Sequence, residues 1–232
     1  MTKIISVSGI GKRAENQDVV WHKNLNKHTT FALVVDGMGG YSKGALAARI
    51  AVEKFKESIN ENMDKQNIQE ILNSINRDFR NIKEQTGENL GVTLAGSLLK
   101  ENNILMFWVG DVKIYVFDQN KITFESEPHS LMNELLAKGS ITNILQAAKY
   151  RQIVTRSIKG NSKEVEPEFK LLKIEDGSTI LICTDGVHEL IDLNRMQYYI
   201  NSFITIENFS EELNMRCKIE AQDNYSWILL RI

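Results

Sequence analysis

The hydrophobic period of this chain changes in blocks, and the order of those blocks restricts its fold more than any other feature. Short apolar or alternating runs, which suit strands, occupy 3–8, 18–21, 31–35, 93–100, 104–109, 114–117, 169–174, 179–183 and 225–232. Two longer stretches carry helical spacing instead. Ala48, Val52, Phe55 and Ile59 form one stripe, and Ile68, Leu72, Ile75, Phe79 and Ile82 form the next. Shorter helices are expected over 130–138, 142–149 and 208–221. Strands follow one another as in hairpins, and the helices are inserted as pairs. A regular strand-helix-strand alternation is missing, so antiparallel sheets covered by helices are expected rather than a doubly wound parallel sheet.

The 232 residues are 42% hydrophobic and 25% charged, the balance of a globular chain with a core of useful size. With two prolines and no low-complexity tract there is no obvious internal boundary, so 1–232 reads as a single domain. A formal net charge of -2 gives no field able to gather nucleic acid or an anionic membrane. Cys183 and Cys217 lie far apart in no CxxC arrangement, which points away from a disulfide framework or a thiolate zinc site and toward a reduced, cytoplasmic setting. The first ten residues carry too short an apolar run for a signal peptide. No segment approaches the roughly 20 apolar residues of a membrane-spanning helix.

Three strongly apolar strands run into an aspartate beside glycine: FALVVDG ending at Asp36 and Gly37, MFWVGD at Gly110 and Asp111, and LICTDG at Asp185 and Gly186. Another strand follows Asp223 and Asn224, and another begins at Asp18. If the last two run antiparallel to the first three, one end of the assembly collects Asp18, Asp36, Asp111, Asp185 and Asp223. So many carboxylates together repel one another unless cations neutralise them. Oxygen ligands at a strand edge suit magnesium or manganese, and the lack of a Cys/His cluster disfavours zinc. A single Asp-Gly is more often only a turn; five aspartates in compatible register weaken that reading.

In order along the chain, these motifs resemble those of the metal-dependent protein phosphatases of the 2C type, in particular compact bacterial members. The segment from Arg13 to Asp18 (RAENQD) resembles the opening arginine motif, and Val35 to Gly40 (VDGMGG) the metal-binding turn. Gly91 to Leu94 and Val109 to Asp111 resemble the central strands, and Cys183 to Gly186 with Asp223 and Asn224 the last metal motifs. The stretch 139–160 resembles the flap beside the family's active site, which helps position protein substrates. Some positions depart from the commoner pattern: Gln17 for glutamate, Tyr41 for histidine, Val112 for serine, and Met38 where some relatives have a histidine proposed as general acid. The metal positions are intact, but leaving-group protonation loses that histidine.

The resemblance implies an α+β fold, a four-layer α-β-β-α sandwich of two mainly antiparallel sheets flanked by helices. It implies a serine/threonine phosphoprotein phosphatase that hydrolyses phosphate monoesters through water or hydroxide bridging two divalent cations, Mn2+ or Mg2+. Asp36 is the expected bridging ligand, with the Gly37 carbonyl on one cation and Asp185 and Asp223 on the other. Asp111 is the expected ligand of a third, weaker cation. Arg13 is expected to bind the substrate phosphate, since a guanidinium donates two parallel hydrogen bonds to its oxygens, and Asp18 to orient a metal-bound water. His22 and His28 read as solvated, and His129 and His188 as structural. Expected partners are phosphorylated proteins, products of a serine/threonine kinase, and that kinase itself; nucleic acid and membrane are not, and the chain is expected to be a monomer. The competing readings are a phosphatase of one regulatory phosphoprotein or a small phosphate ester, and a noncatalytic binding module. Loss of a metal aspartate would favour the binding module, and none is lost.

Overall fold

The computed structural model describes residues 2–38, 43–118, 121–202 and 205–232. In chain order the elements are β1 (Lys3–Gly9), β2 (Val19–Asn24), β3 (Thr29–Gly37), α1 (Gly44–Ser58), α2 (Lys65–Thr86), β4 (Val92–Lys100), β5 (Asn103–Val109), β6 (Lys113–Asp118) and β7 (Lys121–Glu125). There follow α3 (Leu131–Ala137), α4 (Ile144–Ala147), a 3-10 turn (Ala148–Tyr150), β8 (Glu168–Lys173), β9 (Thr179–Cys183), α5 (Asp185–His188), α6 (Leu193–Ser202), α7 (Ile206–Glu220) and β10 (Tyr225–Arg231). One five-stranded sheet has the order β1-β10-β9-β6-β7, the other β2-β3-β4-β5-β8. Every pairing in both is antiparallel.

Side-chain alternation sorts the core into three slabs. In β3, Phe31, Leu33 and Val35 face α1 and α2, packing with Ala48, Val52, Phe55, Leu72 and Ile75. The intervening Ala32 and Val34 join Ile114, Ile180, Ile182 and Ile228 between the sheets. In β9 and β10, Leu181, Cys183, Trp227 and Leu229 turn outward onto Met196, Ile200, Phe209 and Leu213 of α6 and α7. The result is the α-β-β-α sandwich. Strands covered on both faces have no polar side, which is why β3 reads as an unbroken apolar run.

α1 is anchored by Phe55, whose ring stacks on Phe31 and on Phe107 at 5.6 Å. Truncating such a buried ring to alanine costs about 3–5 kcal/mol. α2 starts on a reciprocal cap: Asp64 accepts Asn67 N–H, and the Asn67 side chain accepts Asp64 N–H. It stops at Gly87, whose φ of 75° continues into a left-handed turn.

The expected boundaries move in places, each for a local reason. β2 begins at Val19, because Asp18 N–H donates to the Asn16 side chain in a tight turn and leaves the ladder. α7 starts at Ile206, two residues before the expected 208, since Thr205 supplies the cap. The expected helix over 142–149 divides into α4 and the 3-10 turn. β7, with lysine and threonine among few apolar residues, and α6, with a short stripe at Met196, Tyr199 and Ile200, were not expected.

Candidate active site

Antiparallel register brings the aspartates to one end of both sheets. β3 finishes with Asp36 opposite Thr93 of β4, and β9 finishes with Cys183 opposite Lys113 of β6 and Trp227 of β10. Asp111 therefore lies in the β5–β6 connection, Asp185 opens α5, Asp223 precedes β10 and Asp18 precedes β2, all at that end. A cleft of about 420 Å3 is lined there by Arg13, Asp36, Gly37, Asp111, Asp185 and Asp223, with Gln17, Met38, Thr93, Gln152, Val154 and Asn224 among its other walls. Asp18 is not on the wall: it is buried, with Thr184 Oγ1 donating to its Oδ2 at 3.0 Å. Gly39 and Gly40 of the expected metal-binding turn, and Tyr41 after it, lie outside the described residues.

Close backbone approach explains one of the Asp-Gly pairs. A Cβ on Gly186 would stand 2.1 Å from the Asn224 carbonyl oxygen, so α5 can begin against the Asp223 segment only with glycine there.

Burial and mutual repulsion dominate the electrostatics. Burial pushes Asp36 and Asp185 well above the usual carboxylate range; Asp18 and Asp185 add to the effect on Asp36, and Asp111 and Asp223 to that on Asp185. Burial raises Asp111 too, helped by Glu189 and Asp223. Asp18 is pushed up to about 7 by burial, with further repulsion from Asp223 and Asp111. Among the described residues lining the cleft, Arg13 is the one cation against Glu15 and the aspartates. Its Nη2 lies 2.5 Å from Asp223 Oδ2, and that bond and charge hold the guanidinium above its ordinary pKa.

The donor set is oxygen throughout, which is the chemistry that Mg2+ and Mn2+ take. Asp18 Oδ1 is buried with no hydrogen-bond partner, a further donor awaiting a counterpart. No three His, Cys, Asp or Glu among the described residues close on a point as a ready cage. That is compatible with hydrated hard cations, which keep several waters and take few carboxylates, and not with a closed structural zinc centre.

Histidine is absent from the described lining. His129 Nδ1 accepts Gly110 N–H at 3.0 Å, and His188 Nε2 stands 2.9 Å from the Asp111 carbonyl oxygen. Burial lowers their pKa values to about 4 and about 3, so both are neutral braces of the Asp111 turn. His22 and His28 are exposed, in β2 and the β2–β3 connection. Burial pushes the Cys183 thiol well up, which agrees with an inert strand residue.

The flap stretch contributes Gln152 and Val154 to the cleft. It is fastened by the Ser130–Val154 and Val92–Ile158 bridges, and by Gln152 Nε2 donating to Glu189 at 3.0 Å. Sequence reading gave Thr93, Gln152, Thr184 and Asn224 no individual role, although each lies in a stretch that resembles a family motif.

Residues 7–225 match the family model of protein phosphatase 2C. The chain belongs to the protein phosphatase 2C family. Protein phosphatase PhpP of Streptococcus pneumoniae is 27% identical over 210 residues, covering 87% of this chain and 85% of its own. The serine/threonine phosphatase of S. agalactiae superposes with a TM-score of 0.88 at 22% identity, covering 100% of both chains. The catalytic domain of the phosphatase PstP, solved in complex with 2 manganese ions, gives 0.82 at 19% identity, covering 99% of this chain and 97% of that one. The protein is thus a 2C-type protein-serine/threonine phosphatase, similar to those of several bacteria. The two sheets and their helical covers are the fold of such phosphatases.

Proposed function

We propose that this phosphatase hydrolyses phosphoserine and phosphothreonine esters with two divalent cations, Mn2+ or Mg2+, held at the aspartate cleft. The observation that carries the reading is that Asp36, Asp111, Asp185 and Asp223, from four separate parts of the chain, line one cleft beside the Arg13 guanidinium. PstP, of like fold, is described with 2 manganese ions. Asp36, the Gly37 carbonyl, Asp185 and Asp223 would hold the two cations, and Asp111 would hold a third, weaker one. When bound, the cations supply Lewis acidity, making water nucleophilic at neutral pH and screening the phosphoryl charge.

The chain's own residues then bind and orient. Arg13 turns from Asp223 to the phosphate oxygens, to which a guanidinium donates two parallel hydrogen bonds. Asp18, braced by Thr184, orients water from behind the cleft wall. Gln152 and Val154 of the flap border the entry and meet the protein part of the substrate. No histidine stands in the described lining beside the departing oxygen. Residues 1–232 act as one catalytic domain and a monomer, in the cytoplasm, against the products of a serine/threonine kinase and the kinase itself. No helix among the described residues is long and apolar enough to cross a membrane.

The test is phosphate release from an aryl phosphate and from phosphoserine, phosphothreonine and phosphotyrosine peptides. Release that needs Mn2+ or Mg2+, disappears in Asp185→Ala and favours the first two peptides is expected. Release undiminished by a chelator would refute the metal reading. Phosphopeptide binding with no release at ample metal would establish the binding module instead.

A further inference from the structure

Asn224 spends its whole side chain on one loop. Its Oδ1 accepts Gln17 N–H at 2.9 Å, and its Nδ2 donates to the carbonyl oxygens of Ile10 and Glu15, each at 2.9 Å. Those anchor points bracket Arg13. Between β1 and β2 the described chain forms no helix or strand, and Arg13 N–H is held only by a long 3.3 Å bond to the Ile10 carbonyl. Little of the loop's own structure fixes the guanidinium. Asn224 is itself only 6% exposed, and its three bonds are partly screened from competing water.

The same residue orders the groups on either side of the arginine. Asn224 N–H donates to Asp223 Oδ1 at 2.8 Å, leaving Oδ2 to face Arg13. Gln17, held by Asn224, accepts Gly37 N–H on its carbonyl at 3.2 Å. One side chain thus ties the arginine loop to the strand ends that carry Asp223 and Asp36.

We propose that Asn224 is a positioning residue for phosphate capture: it staples the 10–17 loop so that the Arg13 guanidinium stays at the cleft. The inference rests on the reading of Arg13 as the phosphate-binding group. Although Asn224 borders the cleft, its side-chain amide is engaged by the loop; it acts through Arg13 by removing the loop's freedom, which an unstapled loop would lose on every binding event.

A double-mutant cycle separates positioning from general stabilisation. Aryl phosphate kinetics at saturating Mn2+ are measured for the native chain, Arg13→Ala, Asn224→Asp and the pair. Asn224→Asp keeps the volume and the acceptor for Gln17 but removes both donors. Each single change is expected to raise KM about tenfold or more, with a smaller loss of kcat, the size of one charged hydrogen bond. The pair is expected to be no worse than Arg13→Ala alone. Multiplying effects would overturn the proposal and leave the role of Arg13 intact, whereas an unchanged KM in Arg13→Ala would remove that role and this inference with it. Should Asn224→Asp fail to fold, hydrogen exchange of the native protein decides. The Gln17 amide is expected to be protected about a hundredfold over unbonded amides of the loop, and exchange at their rate would overturn the staple.

Discussion

Thr184 donates a hydrogen bond from Oγ1 to Oδ2 of Asp18 across 3.0 Å, joining residues 166 positions apart. The same hydroxyl oxygen accepts Ser226 N–H at 3.0 Å, so it locks the end of β9 to β10 as well. Thr184→Val keeps the shape and removes both functions, stranding a buried amide and leaving the buried Asp18 carboxylate with one hydrogen-bonding hydroxyl fewer. We expect a loss of about 1–3 kcal/mol in urea unfolding. Because Asp18 sits behind the cleft wall, the Mn2+ concentration for half-maximal activity is expected to rise about 10–100-fold. A variant with native Mn2+ dependence would show that Asp18 does not serve the cations.

The raised carboxylates give metal-free protein a distinctive dependence on pH. Asp18 has an ordinary value of 3.8 and a folded value of about 7, so folding favours its protonated form. Its stabilising contribution is complete below about pH 4 and is lost as pH rises through about 7, and Asp36, Asp111 and Asp185 act in the same direction. His129 and His188 act oppositely: folded neutral, they withdraw stability as pH falls below their ordinary 6.5. Comparing Tm with and without Mn2+ isolates the carboxylates, whose charge the cations cancel. The Mn2+-induced gain in Tm is expected to grow between about pH 5 and about pH 8, and metal uptake near pH 7 to release protons. An equal gain at both pH values would contradict the carboxylate assignment.

Gly37 lies where three segments meet. A Cβ there would stand 2.3 Å from the Gly44 carbonyl oxygen and 2.7 Å from that of Gln17, both backbone atoms. Gly37→Ala must therefore push α1 or the arginine loop away from β3. Overpacking of this kind costs about 1–3 kcal/mol, and a shift near 1 Å at a reacting centre costs about a hundredfold in rate. Folded protein with near-native kcat/KM would mean that the Gly37 backbone does not set the site.

The layers were legible in the sequence because period and burial agree there. FALVVDG at β3 and the stripe of Ile68, Leu72, Ile75 and Phe79 announce a doubly covered strand and a one-faced helix, and both occur. The convergence of Asp36, Asp111, Asp185 and Asp223 followed from strand direction alone, since antiparallel strands return their ends to one rim. What stayed hidden depends on partners far along the chain. Thr184 reads only as a spacer of the Cys183 to Gly186 motif until Asp18 meets it, and Gln152 reads as a polar flap residue until Glu189 does. β7 escaped because a single short strand at a sheet edge needs few apolar residues.

Glu189 supplies the last test, one of the flap rather than of the chemistry. Its carboxylate accepts from Gln152 Nε2 at 3.0 Å and from Arg151 Nε at 3.4 Å, joining the turn after Asp185 to the segment bordering the cleft. Arg151 is half exposed and the pair is solvated, so Glu189→Ala is expected to change stability by no more than about 1 kcal/mol. Released, Gln152 would no longer hold the entry in one conformation. A small aryl phosphate needs only the buried end of the cleft, whereas a phosphopeptide also meets its border. We therefore expect KM for the peptide to change by about threefold or more while kcat for the aryl phosphate stays within about twofold. Glu189→Gln, which keeps an acceptor for Gln152 and loses the charge felt by Asp111 and Asp185, separates the clasp from its field. Equal effects of Glu189→Ala on both substrates would assign Glu189 to the electrostatics of the aspartates and not to the flap.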